Sequence, residues 1–113
     1  MSRVYKIVSR AAWEAAVAAG RFDGAAIDLK DGYIHLSTRA QAQDTARLHF
    51  KDQAGLVLAA FSADALGAAL KWEPSRGGQL FPHFYGPLDP SLALEVSDIP
   101  LGADGVPRLG LAP

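Results

Sequence analysis

Leu56-Val57-Leu58-Ala59-Ala60-Phe61 is an apolar run with no polar interruption. Turn residues precede it over Lys51 to Gly55, and Ser62-Ala63-Asp64 follow. A short run of this kind reads as a central strand covered on both faces. The rest of the chain must therefore supply two layers of cover. It has 113 residues in all to do so, which suits one domain with a modest core. We expect a single domain over 1–113, with its core over 4–100 and an irregular tail over 101–113.

The cover is legible on either side of that run. Val4 to Val8 reads as a first strand. Ser9 can cap a helix over Arg10 to Ala19, and Gly20 can stop it. Trp13, Ala16 and Val17 share the stripe that would face a core, with Arg10 and Glu14 outside it. Arg21 to Gly32 reads as a loop with turns at Asp23-Gly24 and Asp31-Gly32. Tyr33 to Ser37 reads as one strand, with Tyr33, His35 and Ser37 on one side and Ile34 and Leu36 on the other. Thr38 and Gln41 form a capping-box pattern that opens a helix from Arg39 to about His49. Ala42, Thr45, Ala46 and His49 share one face of it, which places His49 on the inward side. Downstream, a helical turn is expected over Ser62 to Leu66. Strands are expected over Leu70 to Pro74, Phe81 to Tyr85 and Leu92 to Val96, with a last edge strand over Val106 to Leu109. Two main helices and a preponderance of strands predict an α+β fold.

Bulk properties narrow the function. The net charge is −1, so nothing favours nucleic acid or an anionic membrane. No apolar run approaches the roughly 20 residues of a membrane span. There is no cysteine, which excludes disulfide partners, thiolate metal sites and cysteine nucleophiles. With no apolar signal core in the first residues, a cytoplasmic location is expected. Gly-x-Ser-x-Gly, G-x-G-x-x-G and Walker lysine patterns are all missing, so hydrolase-elbow and Rossmann or P-loop readings have no support.

The chemistry concentrates between Trp72 and Gly86. Two short aromatic-rich runs flank Ser75-Arg76-Gly77-Gly78, and the glycine pair suits a tight turn. Alternation puts Phe81, His83 and Tyr85 on one face of the second strand, and Lys71, Glu73 and Ser75 on one face of the first. Arg76, helped by the Gly77 and Gly78 amides, can meet a phosphate. Tyr85 can stack on a flat heterocycle. Glu73 suits an oxocarbenium-like transition state, and His35 and His83 can move a proton or hold a ribose or pyrophosphate. Together with Ser37, Thr38, His49 and Ser75, these residues form the expected binding cleft, and Glu73, His35 and His83 are its catalytic candidates. The same cleft could serve a non-catalytic nucleotide- or phosphometabolite-binding module. A metal-dependent hydrolase built on His35, His49 and His83 is a further alternative. No metal is expected, because no pair of histidines has the local spacing that would fix two ligands.

Asp31-Gly32-Tyr33-Ile34-His35-Leu36-Ser37-Thr38, the helix ending in His49-Phe50, Trp72-Glu73-Pro74-Ser75-Arg76-Gly77-Gly78 and Phe81-Pro82-His83-Phe84-Tyr85-Gly86 together resemble the bacterial domain of unknown function 952 family. The likeness runs from Val4 to about Pro100. It implies a fold similar to that of ADP-ribosyltransferases: a split, curved, mainly antiparallel sheet with helices around an NAD-binding cleft. Ile34-His35-Leu36-Ser37 also looks like the His-Leu-Ser segment of RNA 2′-phosphotransferases. On this resemblance His35 would hold the adenosine ribose and phosphates, and Glu73 would take the carboxylate role. NAD as substrate and ADP-ribosyl transfer or NAD cleavage as reaction are what it implies. The expected partner is a small-molecule nucleotide, with a monomer favoured.

Overall fold

The structure is a computed structural model describing residues 2–111. Residues 1, 112 and 113 lie outside the described residues, so the expected tail over 101–113 is seen only to 111. The central apolar run becomes β4 (Leu56–Ser62), buried at every position. It lies between β1 (Arg3–Ser9) and β7 (Glu95–Ile99), and β3 (Ser37–Thr38) flanks β1 on the other side. All these pairings are antiparallel.

Both faces of this sheet are covered, as the run requires. Val57, Ala59 and Phe61 join Val4 and Val8 in one core cluster, with Trp13 and Ala16 of helix α1 (Arg10–Ala19). Trp13 meets Phe61 edge-on, ring centroids 6.2 Å apart. Leu56, Leu58 and Ala60 join Tyr5 and Ile7 in a second cluster beneath Ala42 and Ala46. Those alanines belong to the third helix of the chain. Their small side chains let that helix lie close on the sheet.

The predicted loop over 21–32 contains a helix, α2 (Ala26–Asp31). The Asp31-Gly32 turn signal is the end of that helix: Gly32 sits at φ 86° and returns its N–H to the Asp28 carbonyl. Asp28 meanwhile accepts the Ala25 N–H at 2.8 Å, which closes the first turn.

Tyr33 to Ser37 is not one strand. β2 (Ile34–His35) pairs with β6 (Leu80–Phe84), whereas β3 pairs with β1. The chain changes sheets at Leu36, whose N–H still reaches the Pro82 carbonyl at 3.1 Å. β6 also pairs with β5 (Leu70–Pro74), giving a second antiparallel sheet of order β2-β6-β5. Its inner residues Ile34, Leu70 and Phe84 complete the first core cluster. The antiparallel α+β class is therefore as expected, with the strands divided between two sheets.

The helix expected from the capping box is α3 (Arg39–His49). Thr38 Oγ1 accepts the Gln41 N–H and Gln41 Oε1 accepts the Thr38 N–H. Thr38, expected at the ligand, thus has its hydroxyl engaged in starting a helix. Thr38→Ala is expected to cost about 1 kcal/mol of stability, read from urea unfolding.

Two further expectations shift. The strand placed over Leu92 to Val96 begins later, at Glu95, because Asp89 and Pro90 open a short 3-10 turn over Pro90–Leu92. Val106 to Leu109 makes only an isolated bridge, Leu101 opposite Pro107. Pro107 has no N–H with which to extend a ladder. Among the described residues no helix is long and apolar enough to cross a membrane.

Candidate functional site

The change of sheets at Leu36 opens a cleft of roughly 760 Å³ between the two sheets. His35 lines it from the second sheet and Ser37 from the first. Thr45 and His49 line it from α3, and Ser75, Arg76 and His83 from the β5–β6 hairpin. Tyr5, Ile7 and Phe81 supply apolar wall.

One wall rests on a buried ion pair that the sequence reading did not select. Lys6 shares the core side of β1 with Val4 and Val8, so its ammonium cannot reach water along the strand. It is 4% exposed and Asp28 is 2% exposed. Lys6 Nζ donates to Asp28 Oδ1 and Oδ2 at 3.1 and 2.8 Å, and to the His35 carbonyl at 3.1 Å. Asp28 also accepts the His35 N–H at 3.0 Å and bonds His35 Nδ1 at 2.6 Å. Burial pushes the Asp28 carboxyl up. The His35 ring, the Lys6 ammonium and the His35 amide more than offset this, holding it well below the usual carboxylate range. Burial lowers the Lys6 ammonium, against the pull of Asp28.

His35 is held at both ends. Nδ1 faces Asp28, and Nε2 faces Asp31 Oδ2 at 2.9 Å. Both ring nitrogens are thereby engaged by carboxylates. Neither nitrogen is left for a ribose or a phosphate in this structure.

The second polar group lies on the face of β5 and β6 that carries Phe81 and His83 to the cleft. The register sets Lys71 opposite His83 and Glu73 opposite Phe81. Glu73 is thus a diagonal neighbour of His83 on the face that alternation predicts. His83 Nδ1 lies 2.8 Å from Glu73 Oε1, and Tyr85 Oη donates to the same oxygen at 2.8 Å. These two bonds hold the Glu73 carboxyl below its ordinary value, and the bond to Glu73 pushes the Tyr85 phenol up. Tyr33 stacks on His83 with centroids 4.0 Å apart. The rings of His35 and His83 are 5.7 Å apart.

Arg76 folds back from the glycine turn. Gly77 and Gly78 have φ of 67° and 77°, left-handed values that favour glycine. The Arg76 guanidinium sits 4.9 Å over the Phe81 ring, and Nη2 donates to Thr45 Oγ1 at 3.3 Å. Thr45 gives its own proton to the Gln41 carbonyl, and Ser37 Oγ lies 3.1 Å from Thr45 Oγ1. The expected Gly78 amide is occupied, since its N–H bonds the Ser75 carbonyl at 2.9 Å.

His49 lies on the cleft-lining side of α3, as expected, but is not buried against the sheet. It is the last residue of the helix, exposed at the cleft rim. Position 49 stays within about 20° of Ala42 around the helix, and its place at the helix end is what exposes it. Among the described residues, no three His, Asp or Glu side chains form a metal-holding group.

The family described as Protein of unknown function (DUF952) matches residues 7–96. The chain belongs to that family. The DUF952 match includes Asp28, His35, Glu73, Arg76 and His83, and stops one residue short of Lys6. This DUF952 protein is similar to protein CC0527 from Caulobacter crescentus, whose crystal structure is 57% identical over 96% of each chain, with a TM-score of 0.94. The solution NMR structure of CC0527 covers 97% of this chain and 95% of its own, at 57% identity and a TM-score of 0.87. No curated protein matches the sequence.

Lys6, Asp28, Asp31, Tyr33 and Thr45 were not selected from sequence. A signal existed for Lys6: a lysine centred in Val4-Tyr5-Lys6-Ile7-Val8 must either leave the sheet or meet a buried carboxylate.

Proposed function

We propose that the cleft binds NAD or a related nucleotide, and that the protein is an enzyme of ADP-ribosyl-transfer or NAD-cleavage type. Arg76 carries this reading. Of the cleft's basic groups, Lys6 is neutralised by Asp28 and His35 lies between two carboxylates. Arg76 has no carboxylate partner among the described residues; a hydroxyl and an aromatic face position it. Most of its N–H donors remain for an anion, and a guanidinium suits a phosphate in bidentate geometry.

The cleft's volume falls in the range of small-molecule sites, about 300–1,000 Å³. Its wall of Tyr5, Ile7 and Phe81 suits a flat heterocycle beside that anion. The choice of nucleotide rests on the sequence resemblance: the likeness of Ile34-His35-Leu36-Ser37 to the His-Leu-Ser segment of RNA 2′-phosphotransferases, and the ADP-ribosyltransferase-like fold that the family resemblance implies. In this reading His35 shapes the wall through its carboxylates, and Glu73 acts next to His83.

The test joins binding to turnover. ADP-ribose at about 100 times its dissociation constant adds roughly 2.7 kcal/mol of stability, a melting shift of several degrees. Nicotinamide release from NAD reports cleavage. Both together support the enzyme. A shift without nicotinamide release leaves a binding module, and the absence of both signals overturns the nucleotide reading.

A further inference from the structure

We infer that His83, oriented by Glu73, is the general base that takes a proton from a hydroxyl acceptor, either water or an alcohol, as that acceptor attacks in the cleft. This deepens the nucleotide reading and rests on it.

The assignment follows from hydrogen-bond accounting. The Glu73 carboxyl is held below its ordinary value by two hydrogen bonds, so it is an acceptor at neutral pH. His83 Nδ1, 2.8 Å away, must then be the donor. A neutral imidazole with its proton on Nδ1 keeps its lone pair on Nε2. Among the described residues Nε2 has no protein partner, yet it is not a buried unsatisfied atom. His83 itself is 3% exposed and lines the cleft. The nitrogen left available is therefore the one that a cleft occupant can meet.

The ring is also held still. Tyr33 stacks on it at 4.0 Å with an interplanar angle of 26°. Tyr85 fixes the oxygen that orients Nδ1. An imidazole with one nitrogen on a carboxylate and the other free is the arrangement a general base needs. His35, its ladder partner, contrasts with it: carboxylates occupy both of its nitrogens. The two facing histidines thus divide between bracing the wall and moving a proton.

The acceptor oxygen forms a bond to the ribose anomeric carbon of NAD as its proton passes to His83 Nε2. The bond from that carbon to the nicotinamide nitrogen breaks, and its electron pair leaves nicotinamide neutral. The imidazolium then returns its proton to solvent.

The test compares His83→Ala, Glu73→Gln and the unaltered protein, reading nicotinamide release and ADP-ribose affinity separately. His83→Ala is expected to lower kcat by about 10²–10⁴-fold while ADP-ribose affinity changes little. Added imidazole is expected to restore part of the rate. Glu73→Gln, at a partly exposed position, is expected to lower kcat with KM unchanged and to gain nothing from imidazole. Turnover within a few-fold in either variant overturns the inference. So does a loss in His83→Ala that imidazole fails to rescue. Unaltered protein that binds ADP-ribose but releases no nicotinamide removes the base's role and leaves the cleft a binding site. Unaltered protein that does neither removes the nucleotide reading, and this inference with it.

Discussion

Asp28→Ala is expected to lower folding stability by about 3–5 kcal/mol, the cost of leaving one member of a buried ion pair alone. In a domain of this size that is a fall in melting temperature of roughly 10–20 °C. The substitution strips the Lys6 ammonium of both carboxylate contacts while leaving it 4% exposed. It also removes the acceptor for the Ala25 and His35 amides and for His35 Nδ1. Urea unfolding should show a lower midpoint with an unchanged slope. Adding Lys6→Met to Asp28→Ala should recover part of the loss, because no charge is then stranded. Recovery stays incomplete while the two amides lack their acceptor. A loss below about 1 kcal/mol in the single variant would mean that water reaches Lys6 and the pair is not a structural element.

The same pair sets a pH dependence with a definite sign. The Asp28 carboxyl is depressed in the folded state. Its contribution is therefore complete above the ordinary carboxylate value of about 3.9. It is lost as pH falls below that value through the depressed one. The stability gap between unaltered protein and Asp28→Ala should narrow as pH falls below about 4. Urea midpoints at neutral and acid pH measure that gap. A gap that stays constant would show that Asp28 carries no shifted proton equilibrium.

How much of this was legible depends on whether the information was local. The apolar run of β4, the Ser9 and Thr38 caps and the glycine turn are each written in a few adjacent residues, and each formed where expected. Alternation grouped His83 with Tyr85 and Glu73 with Lys71, but only the β5–β6 register puts the two groups on one face. The division of Tyr33 to Ser37 between two sheets was not legible, because a strand's pattern says nothing about which neighbour it pairs with. Asp28 was hidden for a related reason. Its partners Lys6 and His35 lie 22 and 7 positions away, and turn signals at both ends disguised α2 as a loop. Gly78 shows the converse: residue type suggested an anion-binding amide, and only the turn geometry showed its N–H turned to Ser75.

Arg76→Ala is expected to weaken ADP-ribose binding by about 10–150-fold, the worth of charge-assisted hydrogen bonds at about 1.5–3 kcal/mol. Stability should change by less than about 1 kcal/mol, because Arg76 sits on a turn and gives the fold only one hydrogen bond and a ring contact. Affinity for adenosine, which has no phosphate, should be the same in both proteins. That comparison separates a phosphate grip from general damage to the cleft. Arg76→Lys should restore only part of the affinity: an ammonium keeps the charge, but it has neither the planar fork nor the flat face that lies over Phe81. Calorimetric titration of ADP-ribose and adenosine into the three proteins decides the matter. Equal losses for both ligands would move the anion site away from Arg76. A loss confined to ADP-ribose would fix the phosphate end of the nucleotide beside Thr45, with the reacting ribose left to the His83 side of the same cleft.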